Sequence, residues 1–134
     1  MLKRIDHLGI AVQSLTAVKN KLKAVFDLEP EFEETVEEQR VNVAGFKIGD
    51  SHLEYLEPTS KSSPIAKFLE KRGEGLHHFC VEVENLEGTL IRLRREGVRL
   101  IDETPRPGAD GKLIAFIHPS SMNGVLIELS QTTK

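Results

Sequence analysis

The chain has one cysteine, Cys80, no tryptophan, and no apolar run near the ~20 residues that a membrane span requires. A single cysteine excludes an intrachain disulfide framework and suits a reducing compartment, so a cytoplasmic setting is expected. Aromatic residues make up 5% of the chain, too few to form a platform on which single-stranded nucleic acid stacks. The net charge of −3 points away from nucleic acid in the same way. Met1-Leu2-Lys3-Arg4 runs straight into an alternating strand pattern and reads as carrying no signal segment. A glycine-rich phosphate loop, a His-Glu-x-x-His helix, a Cys-x-x-Cys pair and a Gly-x-Ser-x-Gly elbow are all missing, which removes the chemistries those motifs carry. What is left is a globular composition, 134 residues with 39% hydrophobic and 29% charged, long enough to bury a core without staples. Local basic clusters, Lys67-Lys71-Arg72, Arg92-Arg94-Arg95 and Lys112, still leave room for an anionic ligand.

What the chain does have is a repeat. Leu76-His77-His78-Phe79-Cys80-Val81-Glu82-Val83 restates Ile5-Asp6-His7-Leu8-Gly9-Ile10-Ala11-Val12 by residue class. Superposing His7 on His78 puts Leu8 on Phe79, Ile10 on Val81 and Val12 on Val83, at an offset close to half the chain. Two copies of one supersecondary unit are therefore expected. Side chains alternate faces along a strand. Phe79, Val81 and Val83 thus form a core face with His78, Cys80 and Glu82 opposite, and Leu8, Ile10 and Val12 pack inward with His7 opposite.

After the first strand, Ser14 is the expected cap of a helix running to Phe26, whose apolar positions recur at helical spacing. Strands are expected at Phe32–Val36, Arg40–Ile48 and His52–Leu56, with Gly49-Asp50 as a turn. A linking helix follows, marked by Ser63 as cap, Pro64 at its first position and Gly73 as terminator. In the second half Asn85 caps a helix, and strands are expected at Val98–Ile101, Leu113–Ile117 and Val125–Ser130, with turns at Asp110-Gly111 and Asn123-Gly124. The order is βαβββ twice, an α+β fold in one domain over 1–134. Module 1 covers about 1–57, a linker helix about 58–74 and module 2 about 75–134.

Each module's last strand carries a glutamate, Glu54 and Glu128, 74 residues apart where the histidines are 71 apart. By alternation both glutamates face away from the helices, as both histidines do. Two imidazoles and two carboxylates form a mixed N/O donor set suited to one divalent ion, Co²⁺, Mn²⁺, Ni²⁺, Fe²⁺ or Zn²⁺. Four protein ligands on a six-coordinate ion leave two positions open, so such a site can polarise a carbonyl oxygen. His52, His77 and His118 have no such partners and read as strand-end structural histidines. Cys80 reads as a small buried thiol, Glu82 as a salt-bridged group, and the run Glu33-Glu34 and Glu37-Glu38 as a charged strand edge.

On these residues the chain resembles the vicinal oxygen chelate (glyoxalase/bleomycin resistance/dioxygenase) superfamily, and within it the methylmalonyl-CoA epimerases. The resemblance is carried by Ile5 through Val12, by Leu56-Glu57-Pro58-Thr59-Ser60 with Ser63 through Leu69, by His77-His78, and by His118-Pro119 with Gly124 through Leu129. The Ser63–Leu69 block is the part most like the epimerases. The resemblance implies a U-shaped, cup-like mixed sheet of two βαβββ modules around a divalent metal, Co²⁺ being favoured, in a homodimer. It implies His7, Glu54, His78 and Glu128 as ligands and an acyl-CoA substrate, with no nucleic acid or membrane partner. The implied reaction interconverts the (2R) and (2S) forms of methylmalonyl-CoA by C2 proton abstraction through a metal-stabilised enolate, with Glu128 as base. Some members carry a second glutamate on the strand corresponding to Arg40–Ile48, where this chain has Val41-Asn42-Val43. The alternatives are a glyoxalase I-like isomerase and a metal-free small-molecule-binding or resistance protein of the same fold.

Overall fold

Helices in this chain start where a side chain can accept from the first free N–H groups. In the computed structural model, which describes residues 1–133, α1 (Leu15–Phe26) sits behind Ser14, whose Oγ accepts from the Ala17 N–H at 3.1 Å. It ends at Asp27, a left-handed residue (φ 55°) whose N–H donates to the Lys23 carbonyl. α2 (Pro64–Arg72) has Ser63 Oγ accepting from the Ile65 N–H at 3.2 Å, Pro64 at its start and Gly73 (φ 77°) at its end. α3 (Leu86–Arg95) has Asn85 Oδ1 accepting from the Gly88 N–H at 3.0 Å. These are the starts expected from the sequence.

The strands are β1 (Leu2–Ala11), β2 (Phe32–Val36), β3 (Val41–Ile48), β4 (Ser51–Pro58), β5 (Gly75–Val83), β6 (Arg106–Pro107), β7 (Leu113–Ile117) and β8 (Ile127–Gln131). With α1, α2 and α3 they give βαβββ twice, α2 standing between the repeats. The chain divides into two compact units, Leu8–His77 and a second made of Met1–His7 with His78 onward. In the Leu8–His77 unit the strand order is β2-β3-β4-β1. β2, β3 and β4 pair antiparallel, with Val43 opposite Glu34 and Leu56, and Gly45 opposite Phe32 and Glu54. β2 is the edge strand, so the acidic run does lie at a sheet edge, continuing into a short 3-10 turn at Glu37–Gln39. The core of this unit is Val12, Leu15, Leu22, Ala44 and Phe46, with Ile10, Leu53 and Tyr55 against it. Leu8 was expected inward with Ile10 and Val12; it is 38% exposed and lies outside the core cluster that Val12 and Ile10 join.

In the second unit the order is β1-β5-β8-β7-β6, with β5 parallel to β8 and β7 antiparallel to both its neighbours. Its core is Val81, Val83, Leu86, Leu90, Leu100, Ala115, Ile117 and Leu129, with Phe79 and Ile127 packed against it. The strand expected at Val98–Ile101 is reduced to a single bridge between Leu100 and Ile117, and the ladder beside β7 is taken by β6. Asp102 takes one ladder position: its carboxylate accepts from the Phe116 N–H at 2.8 Å and from Arg106 Nε at 2.9 Å, while the Phe116 carbonyl still accepts from Ile101 N–H at 2.9 Å. β8 begins at Ile127 rather than Val125, since Asn123 (φ 57°) and Gly124 (φ 85°) form a left-handed turn that Val125 closes by donating to the Met122 carbonyl. No helix among the described residues is long and apolar enough to cross a membrane.

Candidate metal centre

β5 turns Phe79, Val81 and Val83 onto the α3 core, so His78, Cys80 and Glu82 take the other face. β8 does the same with Ile127 and Leu129, which leaves Glu128 on that other face. The parallel register sets Glu128 beside Cys80, and the antiparallel one sets it beside Phe116. β1 supplies His7. All three side chains are buried at 5% exposure, and their polar atoms converge. His7 Nε2 lies 3.1 Å from His78 Nε2 and 3.0 Å from Glu128 Oε1, and His78 Nε2 lies 2.8 Å from the same oxygen. The two imidazoles meet edge to face, centroids 5.2 Å apart at 86°, and the Phe116 ring meets His78 in the same manner at 5.4 Å.

The residue missed in the sequence is Asp6. It is fully buried, and its Oδ2 lies 2.8 Å from His7 Nδ1 while Oδ1 accepts from Lys112 Nζ at 2.5 Å and Arg4 Nη2 at 3.0 Å. Burial works against its ionisation, yet the hydrogen bonds from His7 and Lys112 hold its carboxyl well below the usual carboxylate range. An ionised carboxylate only accepts, so His7 Nδ1 carries a hydrogen, and Nε2 is the nitrogen turned toward His78 and Glu128. The repeat passes over Asp6, because its counterpart in the second copy is His77. Arg4 continues the network to Glu82, Nε to Oε1 at 2.8 Å, with Lys3 Nζ on Oε2 at 3.3 Å, so Glu82 is salt-bridged as expected.

This donor set fits a divalent cation. His7 Nε2, His78 Nε2 and Glu128 Oε1 sit within 3.1 Å of one another, and with both imidazoles neutral the three atoms would each offer a lone pair to one ion. His7, His78 and Glu128 form one group able to hold a metal; Asp6, His7 and Cys80 form another, with a fully buried thiol that burial and then the Glu128 charge push up to about 12. At that value Cys80 is a neutral thiol, and the carboxylate-bearing set suits a hard or borderline ion better. Burial also disfavours ionised Glu128, but hydrogen bonds from His7 and His78 outweigh it and keep its carboxyl below the usual range. Both imidazole contacts fall on Oε1, and Oε2 makes no hydrogen bond among the described residues.

Of the four expected ligands, three lie together in one unit. Glu54 belongs to the Leu8–His77 unit, buried at 6% exposure on β4, with Leu53 and Tyr55 on the core side as expected. The other histidines take structural places: His52 Nε2 lies 2.6 Å from Glu31, His77 packs on Phe68, and His118 Nδ1 accepts from the Ser120 N–H at 3.0 Å. Val43 is buried at 2% exposure.

A family profile of the Glyoxalase/Bleomycin resistance protein/Dioxygenase superfamily matches residues 6–116. The chain is 47% identical to the uncharacterized protein YqjC of Bacillus subtilis over 97% of its own length and 93% of that protein. It is 36% identical to the mitochondrial methylmalonyl-CoA epimerase of Bos taurus, covering 97% of this chain and 75% of that one. A solved methylmalonyl-CoA epimerase in complex with methylmalonyl-CoA and NH4+ superposes with a TM-score of 0.96 at 38% identity, covering 99% of this chain and 96% of that one. The chain therefore belongs to the Glyoxalase/Bleomycin resistance protein/Dioxygenase superfamily, and within it to the family of the methylmalonyl-CoA epimerases.

Proposed function

We propose that this protein interconverts the (2R) and (2S) forms of methylmalonyl-CoA by removing and returning the proton on C2. The observation that carries the reading is the convergence of His7 Nε2, His78 Nε2 and Glu128 Oε1 in a chain related over nearly its whole length to epimerases of that substrate. His7, His78 and Glu128 are assigned as ligands of a divalent metal, Co²⁺ before Mn²⁺, Ni²⁺, Zn²⁺ or Fe²⁺, and the sequence repeat assigns Glu54 as the fourth. A bound divalent ion supplies Lewis-acid polarisation of the thioester carbonyl, which makes the C2 proton acidic.

The chain's own residues do the rest. Asp6 holds His7 as its Nδ1–H tautomer. Glu128 divides its two oxygens: Oε1 lies with the imidazole nitrogens that would hold the ion, and Oε2 is the atom that takes the C2 proton. Val43 has no proton to exchange, so the opposite face of C2 is served by a carrier other than a carboxylate at this position. The protein is read as a cytoplasmic homodimer on the strength of the resemblance and its single buried thiol.

The test is deuterium uptake at C2 of methylmalonyl-CoA in D₂O, with chelator-stripped protein against protein reloaded with Co²⁺. Exchange that appears only on reloading is the expected result. Absence of exchange in both forms sinks the epimerase reading and returns weight to a glyoxalase-like reaction or a metal-free binding role.

A further inference from the structure

Only one of the two Asp6 oxygens faces His7. Oδ2 lies 2.8 Å from His7 Nδ1, while Oδ1 accepts from Lys112 Nζ at 2.5 Å and from Arg4 Nη2 at 3.0 Å. All four residues belong to one compact unit, Met1–His7 with His78 onward. The two cations are not equivalent. Arg4 stands on the same strand as Asp6, its side chain is 36% exposed, and its Nε is given to Glu82. Lys112 comes from 106 residues away, its side chain is 13% exposed, and its ammonium is the closer donor.

The chain around Lys112 holds that residue in place. Asp110 (φ 58°) and Gly111 (φ 67°) take the backbone through the left-handed region just before it. Lys112 N–H donates to the Ala109 carbonyl at 3.3 Å, and the Lys112 carbonyl accepts from Gly108 N–H at 2.9 Å. Thr133 Oγ1 donates to the Gly111 carbonyl at 2.7 Å. β7 starts at the next residue, Leu113, and pairs with β8, which carries Glu128. Lys112 is therefore fixed to the same ladder that places Glu128.

Stability alone does not account for the pair. Taking an ammonium and a carboxylate out of water costs about as much as their attraction returns, and apolar side chains of similar volume serve a fold as well. Asp6 has a use that an apolar residue cannot meet, because its Oδ2 fixes a hydrogen on the buried His7 ring. A carboxylate turns readily about its terminal bond and accepts through either oxygen. Oδ2 stays on Nδ1 only while Oδ1 is held elsewhere, and Lys112 is the nearer and more deeply buried of the two groups that hold it.

We propose that Lys112 is a positioning residue of the metal centre: by anchoring Asp6 Oδ1 it aims Oδ2 at His7 Nδ1, and so sets which His7 nitrogen meets the ion and how tightly the ion is held. The proposal rests on the divalent-metal reading above and deepens it.

The test uses the full chain as wild type, K112M, K112R, D6A and D6A/K112M. ¹⁵N shifts of the His7 ring are read in metal-free protein at a pH where the ring is neutral, and Co²⁺ affinity is read by competition with a chromophoric chelator. Wild type should carry the hydrogen on Nδ1 alone. K112M should show a mixture of the two tautomers and bind Co²⁺ about tenfold more weakly, the low end of the loss when an outer partner of a ligating histidine is removed. K112R, which returns a cation to Oδ1, should recover part of both. Adding K112M to D6A should weaken binding no further, because the lysine acts through the carboxylate. Wild-type tautomer and affinity in K112M, with only the thermal midpoint lowered, overturn the proposal and leave a structural ion pair. A further tenfold loss on adding K112M to D6A also overturns it, since Lys112 would then act without Asp6. If wild type binds no divalent ion, the metal reading fails by itself, and the His7 tautomer in K112M alone judges the role of Lys112. Should K112M not fold, K112Q, shorter and uncharged, is measured in its place against the same outcomes.

Discussion

Asp6 Oδ2 stands 2.8 Å from His7 Nδ1, and this one contact decides which nitrogen of His7 is available to a metal. Replacing Asp6 by Ala frees the ring to adopt the other tautomer. Metal affinity is expected to fall by about 10–100-fold, as it does when the outer partner of a ligating histidine is removed. Asn, whose Oδ1 can still accept from Nδ1, should recover part of the loss. Competition with a chromophoric chelator measures the affinity, and ¹⁵N shifts of the His7 ring report the tautomer independently of activity. An Ala variant with wild-type affinity and tautomer would remove Asp6 from the centre.

Glu128→Gln keeps the shape of the side chain and removes its basicity. C2 proton exchange should drop by a factor of about 10²–10⁴, the usual contribution of a positioned general base. The thermal midpoint should stay close to wild type in the metal-free proteins. Undiminished exchange would show that the proton goes to another group.

Glu82 lies under Lys3 and Arg4. Burial alone would raise its pKa, but the ion pairs outweigh it and the folded value is depressed. A depressed carboxylate stabilises the fold above its unfolded pKa of about 4.3 and loses that contribution as pH falls through the folded value. Wild type should therefore exceed Glu82→Gln in thermal midpoint at pH 7, and the gap should close as the pH drops below about 4. Lys3 and Arg4 are partly exposed, so added salt should narrow the gap at neutral pH. A gap independent of pH would mean that the pairing does not set Glu82's ionisation.

Cys80 has a fully buried thiol whose pKa is raised to about 12. It should resist iodoacetamide in the native protein at pH 8 and react promptly in denaturant. Rapid native labelling, followed by mass spectrometry, would contradict its burial.

Helix ends were legible because they are local: Ser14, Ser63 and Asn85 satisfy N–H groups two or three residues ahead, and Gly73 turns the chain by its own conformation. The histidine pair was legible because the chain states it twice, so a distant contact left a local mark. The Asp6–Lys112 pair left none. Its partners are 106 residues apart and occur once, so neither period nor repeat points to them. The strand expected at Val98–Ile101 had the right composition, but Asp102 offered the Phe116 N–H an acceptor that a residue-type pattern does not register. Leu8 shows the other limit: alternation assigns a side to a residue without saying whether anything covers that side.

His7 and Glu128 touch across 121 positions of chain. Residues 8–77 are contiguous and can collapse as soon as they are synthesised, whereas the unit holding His7, His78 and Glu128 is built from Met1–His7 and from His78 onward. Met1–His7 must wait until Glu128 has been synthesised. A nascent or prematurely terminated chain ending before β8 would therefore present the two histidines without Glu128 to complete the group.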